Sequence, residues 1–126
     1  MKSAMAAFAI LALAATTTAA AAPRLKPIMR AWKAKAVAAE LMLNGRAPYD
    51  EAAMRGILAS FVADAQDIEG KVTSRDAAAL DIKSRFSQFE ADASAALQAL
   101  PAKDGAALRF KRLRGECGAC HDVYAN

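Results

Sequence analysis

The chain has 126 residues and a mass of 13.2 kDa, which limits it to one small domain and excludes a multi-domain enzyme. It is 56% hydrophobic and 24% charged, which is a globular composition. The net charge is +4, and the sequence has no basic stripe interleaved with aromatic residues of the kind that binds nucleic acid. Alanine accounts for 35 residues and only nine residues from position 22 onward are Val, Ile or Thr, which predicts an all-α fold.

The first 22 residues have the pattern of a secretory signal peptide. Lys2 provides a positive start, residues 4–15 form an apolar stretch, and small residues follow at 19–22. We place cleavage after Ala21, so the predicted signal peptide is 1–21 and the predicted domain is 22–126. The apolar stretch is shorter than the roughly 20 residues of a membrane span, so an uncleaved anchor is the less favoured alternative and no stable membrane insertion is expected.

Two helical segments come first in the predicted domain. One runs from near Arg24 to Asn44, where Gly45 provides its end. The next opens with Asp50 as a predicted N-cap and ends at Gly70. Apolar residues recur at helical spacing in the first segment at Ile28, Trp32, Ala36, Ala39 and Leu43, and in the second at Met54, Ile57, Leu58, Phe61, Val62, Ala65 and Ile68.

Two further helical segments complete the domain. Thr73 or Ser74 is the predicted cap of the third, Pro101 closes it, and Asp104 is the predicted cap of the fourth. Their apolar stripes are Ala79, Ile82, Phe86, Phe89, Ala93, Leu97 and Leu100 in the third, and Ala106, Phe110, Leu113, Cys117, Cys120 and Tyr124 in the fourth. Because short joints make neighbouring helices antiparallel, the pattern predicts an up-down-up-down four-helix bundle.

One motif carries recognisable chemistry. Cys117, Cys120 and His121 form a C-x-x-C-H sequence, and these are the only cysteines and the only histidine of the chain. Their spacing puts all three on one face of a helix. Two thioether bonds can hold the vinyl groups of a haem there, while the imidazole supplies an axial ligand to the iron. The spacing therefore predicts covalent attachment of one haem c.

Other uses of the two cysteines are less favoured. A disulfide between Cys117 and Cys120 would close a very small loop and gain little entropy. A thioredoxin-type redox pair needs a strand-to-helix context, and a zinc site needs a fourth ligand.

The whole predicted domain resembles a class II c-type cytochrome of the cytochrome c prime family. Residues 113–124 (LRGECGACHDVY) are close to the end of the family's fourth helix, residues 44–50 (NGRAPYD) are similar to its first interhelical turn, and residues 82–89 (IKSRFSQF) resemble its third-helix segment. The resemblance implies a covalent haem between the helices, His121 as the proximal ligand, a periplasmic location and exchange of electrons with a redox partner protein. It also implies homodimers, which family members often form through the first pair of helices.

The resemblance also points to the distal side of the haem. The family has its distal residue sixteen positions before the glycine of the first turn, which is Met29 in this chain. Met29 either binds the iron through its thioether sulfur, which raises the reduction potential, or packs in the core. Aromatic residues are expected to line the haem pocket or the core, namely Trp32, Phe61, Phe86, Phe89 and Phe110.

The chain departs from the family in ways that bear on function. Leu25 and Ala125 occupy positions where the family usually has arginine, and Lys83 replaces its third-helix tryptophan. The absence of arginine at position 125 disfavours a dedicated nitric oxide role. We therefore expect a periplasmic electron carrier with Met29 as distal ligand, and the alternative is a five-coordinate cytochrome that binds NO or CO. No pattern typical of an enzyme site is visible.

Two groups of charged residues have open interpretations. Arg109, Lys111, Arg112 and Arg114 form a basic cluster that is either a docking patch for an acidic redox partner or, as we favour, a solvated helix face. Lys33 and Glu40 either contact haem propionates or are exposed.

Overall fold

The computed structural model describes residues 24–124, and the predicted signal peptide, residues 1–21, lies outside this range. The described chain forms four helices and no strand: α1 is Leu25–Leu43, α2 is Glu51–Lys71, α3 is Ala77–Gln98 and α4 is Lys103–Tyr124. The predicted all-α class with four helices is confirmed, and the arrangement is compatible with a four-helix bundle.

Helices α1 and α2 run antiparallel. The Trp32 Nε1 donates a hydrogen bond to the Asp64 Oδ2 at 2.7 Å, and the Lys35 Nζ donates to the Ser60 Oγ at 2.9 Å. A later residue of α1 therefore meets an earlier residue of α2. The short joint 72–76 turns the chain into α3, and α2 and α3 share the most extensive contact between any two helices of the described chain.

Helix α4 lies between α3 and α1. The Tyr124 hydroxyl donates to Asp81 of α3, and farther back along α4 the Arg112 Nε lies 3.3 Å from a carboxylate oxygen of Asp92. On the other side, the Arg114 Nε donates to the Glu40 Oε1 of α1 at 2.6 Å. The backbones of α1 and α4 come close at fewer points than those of the other three neighbouring pairs. The α1–α4 interface is therefore the loosest of the four.

The core is built from the predicted stripes and contains no buried polar or charged residue among those described. It has two unlike ends. The end with joints 44–50 and 99–102 is here named the closed end. The opposite end, with the start of α1, the joint 72–76 and the last turns of α4, is named the motif end because Cys117, Cys120 and His121 lie there.

Burial declines along α4 from the closed end to the motif end. Phe110 and Leu113 are 3% and 1% exposed, whereas Cys117 and Cys120 are half-buried and Tyr124 is 39% exposed. The predicted apolar stripe is thus continuous in sequence, but only its first half is covered by protein.

Two of the predicted helix boundaries are confirmed in detail. Gly45 follows α1 with a φ of 78°, a left-handed conformation that favours glycine and ends the helix. Asp50 caps α2, since its Oδ1 accepts a hydrogen bond from the Ala53 amide at 3.0 Å.

Three other predicted boundaries are wrong. Gly70 lies inside α2, which continues to Lys71. The cap of α3 is Asp76, whose Oδ1 accepts from the Ala79 amide at 2.8 Å, while Ser74 donates to the same carboxylate at 2.6 Å and supports the cap instead of forming it. Asp104 does not cap α4 but lies in its first turn, where its negative charge interacts favourably with the helix dipole.

Candidate functional site

The side chains of Cys117, Cys120 and His121 occupy one face of α4, as their spacing predicts. Both cysteines are free thiols and half-buried, and Cys117 packs against the apolar core. His121 is exposed. The three groups therefore lie together at the motif end, with the Cys117 thiol against the core and the His121 imidazole exposed to solvent.

His121 faces the side of α4 that meets α1. It follows Arg114 by seven residues, two turns of helix, so the two side chains share a face. Arg114 contacts Glu40, and Lys33 precedes Glu40 by the same seven residues on the antiparallel α1. The register therefore puts His121 and Lys33 at about the same level of the α1–α4 interface.

Cys120 lies at the other edge of the same face of α4, next to α3. The charges of Arg85 and Asp81 are its polar surroundings. Asp81 accepts hydrogen bonds from the Tyr124 hydroxyl at 2.5 Å and from the Arg85 Nε at 2.8 Å, and the guanidinium lies 5.9 Å from the centre of the Tyr124 ring. This cluster attaches the last turn of α4 to α3.

Burial raises the pKa of the Cys117 thiol above its ordinary value, and burial raises that of Cys120 as well. Both groups are therefore protonated at neutral pH. A thiolate is the form that attacks a disulfide, so this environment is unfavourable for a thioredoxin-type redox pair.

Met29 lies half-buried on α1 and packs against the core. It precedes Glu40 by eleven residues, three turns of helix, so it shares the face of α1 that meets α4. The same register places it four residues, about 6 Å along the helix axis, beyond the level of His121. Met29 therefore lies at the motif end, on the face of α1 that meets α4, about one turn past the level of the imidazole.

Trp32 is the centre of an aromatic cluster that joins three helices. Its ring is stacked on Phe89 of α3 with centroids 4.6 Å apart, and it lies 5.1 Å from Phe61 of α2 and 6.1 Å from Phe86. Its indole N–H is satisfied by Asp64. Trp32 is thus a core residue that joins α1 to α2 and α3.

A carboxyl pair beside Cys117 has no local signal in the sequence. Burial, followed by a hydrogen bond to Asp92 and repulsion from its charge, raises the pKa of Glu116 to about 8. The protonated Glu116 carboxyl donates to the Asp92 carboxylate, whose pKa that bond lowers, while the Glu116 Oε2 is buried with no partner. The pair joins α4 to α3, and only the packing of the two helices brings it together.

The predicted basic cluster on α4 is partly neutralised. Arg112 pairs with Asp92, and Arg114 pairs with Glu40. Glu40 is therefore engaged by an arginine, and the interpretation of the cluster as a solvated helix face is favoured over that of a docking patch. Lys33 is exposed.

No family model, no curated protein and no solved structure matches this chain. Within residues 24–124, no three His, Cys, Asp or Glu side chains are arranged to hold a metal ion between them. None of the four helices described above is long and apolar enough to cross a lipid bilayer. The function proposed for the site therefore depends on its own geometry and chemistry.

Proposed function

We propose that this protein is a c-type cytochrome of the cytochrome c prime type that carries one electron on a single covalent haem. The observation that carries the proposal is the placement of Cys117, Cys120 and His121 on one face of α4, at the end of the bundle where its apolar stripe is only partly covered. Two thiols and an imidazole in this order are the donor set of c-type haem attachment.

The residues around the motif fit such a group. A haem is a flat, mostly apolar molecule, and four side chains at the motif end are apolar and incompletely buried. They are Leu25, Ile28, Met29 and Ile82. The α1–α4 interface beside them is the loosest of the four, so it is the interface that a planar group can enter with least disruption of the described packing. Trp32 precedes Lys33 on α1, so its buried ring lies in the core at about the same level.

The chain's own residues have distinct roles in this proposal. Cys117 and Cys120 hold the haem by thioether bonds, His121 is the proximal ligand and Met29 is the distal ligand. The bound iron supplies one-electron chemistry. The aromatic cluster around Trp32 excludes water from the interior side, and the exposed edge at His121 leaves a short path for an electron to a partner protein. Export to the periplasm by residues 1–21 belongs to the same proposal.

The register favours a second candidate that the same test decides. Met29 lies one turn past the level of His121, and Lys33 lies at that level instead. If the thioether stays outside reach of the iron, the distal position is open and apolar, and the protein binds CO or NO at a five-coordinate iron.

The test is expression with a haem c maturation system, followed by absorption spectra of the oxidised and reduced protein with and without CO. We expect covalent haem, a low-spin spectrum and no change with CO. The variant Met29→Leu is expected to become high-spin and to bind CO. The matched control is Met42→Leu, which changes a buried methionine of the same helix at the closed end and is expected to remain low-spin.

Each contrary result has a definite meaning. A wild-type spectrum that is high-spin and shifts with CO overturns Met29 ligation and establishes the gas-binding candidate. Absence of covalent haem from the wild type, with the same spectrum for Cys117→Ala and Cys120→Ala, overturns the cytochrome assignment altogether.

A further inference from the structure

The first three turns of α1 carry positively charged residues and no acidic residue. Lys26, Arg30 and Lys33 are spaced by four and three residues, so they share one exposed face, here named the α1 basic face. No acidic residue precedes Glu40 in α1, and Glu40 is paired with Arg114. No ion pair within residues 24–124 includes a member of the α1 basic face.

The α1 basic face lies beside the candidate haem site. Lys33 is at the level of His121 across the α1–α4 interface, and Arg30 and Lys26 continue from it toward the start of α1. On α2, Asp67 is 2.6 Å from Lys71, and Asp64 accepts from the Trp32 indole and keeps its negative charge. Within residues 24–124, no carboxylate of α1 or α2 forms an ion pair with the α1 basic face.

We propose that Lys26, Arg30 and Lys33 are the docking surface for the acidic face of a redox partner protein. This inference rests on the proposed function, because it names the partner of the same haem site. Opposite charge on a partner accelerates encounter and orients the two proteins, and here it brings the partner to the edge where His121 is exposed.

The apolar face of α1 decides between a protein and a membrane as the occupant. Helices that lie on anionic membranes insert a free apolar face below the headgroups. In α1 that face packs against the core, with Trp32, Ala36, Ala39 and Met42 buried and Leu25, Ile28 and Met29 half-buried. Little of the apolar face of α1 is therefore free to insert, which suits a protein partner.

The sequence offers a matched control for the test. Arg30→Gln/Lys33→Gln removes one arginine and one lysine from the α1 basic face, and Arg109→Gln/Lys111→Gln removes one of each from exposed positions on α4. The two double variants have the same net charge. Any difference between them is therefore due to the place of the charges, once circular dichroism shows that both are folded.

The first measurement is stopped-flow oxidation of the reduced haem protein by hexacyanoferrate(III), a trianion, over a range of ionic strength. The Arg30→Gln/Lys33→Gln variant is expected to react about five-fold more slowly at low ionic strength, with the difference lost at high salt. The α4 variant is expected to react at a rate much closer to wild type. Equal slowing of both variants would overturn the proposal, because it would show an effect of net charge alone.

The second measurement is binding of a poly-glutamate peptide, followed by NMR shifts of backbone amides, which needs no electron transfer. Shifts centred on residues 26–33 and lost in Arg30→Gln/Lys33→Gln support the docking surface. Shifts elsewhere overturn it, as does binding of vesicles of phosphatidylglycerol without binding of the peptide. Absence of covalent haem would refute the proposed function while the peptide shifts still report on the charged face, so the two failures are distinguishable.

Discussion

The two ends of the bundle differ in how completely the same apolar pattern is covered. At the closed end Met54, Leu58 and Leu100 are at most 1% exposed, and Leu100 itself lies in the joint 99–102. At the motif end the corresponding side chains of α1, α3 and α4 are half-buried or exposed, although their spacing along the helices is unchanged. A regular apolar repeat therefore specifies which face of a helix turns inward, and the neighbouring elements determine how much of that face leaves water.

The largest expected difference between the two ends is in the cost of removing a leucine side chain. Leu58→Ala at the closed end leaves a cavity in a filled core and is expected to lower the free energy of unfolding by about 2–5 kcal/mol. Leu25→Ala at the motif end removes a half-buried side chain and is expected to cost about 1 kcal/mol. Urea denaturation of both variants measures the difference, and equal losses would mean that the motif end is packed as tightly as the closed end.

A tyrosine at each end provides a second comparison of smaller size. The Tyr49 hydroxyl donates to the carbonyl of the buried Leu100 at 3.2 Å, whereas the Tyr124 hydroxyl donates to Asp81 on the surface. Tyr49→Phe leaves a partly buried carbonyl without its donor and is expected to cost about 1 kcal/mol in global stability.

Tyr124→Phe is expected to act locally, since it releases only the last turn of α4 from α3. Hydrogen exchange should then show faster amide exchange in the last turn of α4 with little change in the midpoint of unfolding. A large loss of global stability from Tyr124→Phe would contradict the picture of a loosely covered motif end.

The third comparison concerns pH at the boundary between the two ends. The raised pKa of Glu116 means that the contribution of its protonated pair with Asp92 is fully present below about pH 4.5 and is lost as the pH rises through about 8. Glu116→Gln keeps a donor toward Asp92 at every pH. We therefore expect the melting temperature to fall less between pH 6 and pH 9 in this variant than in wild type.

The control for the pH comparison is Glu51→Gln, which changes an exposed glutamate at the closed end that pairs with Arg55. Its melting temperature should follow the wild-type pH dependence. A Glu116→Gln profile parallel to that of wild type would show that Glu116 is already ionised in the folded protein at pH 6.

Much of the fold follows from local patterns in the sequence. The apolar stripes predict which residues are buried, because the helical period of 3.6 residues is a property of the backbone. Gly45 and Asp50 are recognised because one conformation and one hydrogen bond explain each of them. The cap of α3 is missed because Ser74 and Asp76 are both good caps two residues apart, and the choice between them depends on where α3 begins to pack.

The candidate site is predictable only in part for the same reason. That Cys117, Cys120 and His121 share a face follows from their spacing alone. The helix that each of them faces does not follow from the spacing. The direction of His121 toward α1 is established by the contact of Arg114 with Glu40, and these residues are 74 positions apart in the chain. The carboxyl pair of Glu116 and Asp92 likewise results from helix packing, and no local sequence pattern predicts it.

Trp32 has a practical consequence that follows from its position. It is the only tryptophan of the chain, and its ring touches α2 and α3 from α1. The indole emission of the protein therefore originates from a single interior point where three helices meet, without any added label. Its intensity and wavelength can report the docking of α1 in real time, and quenching by a chromophore attached to α4 would measure how near that chromophore lies.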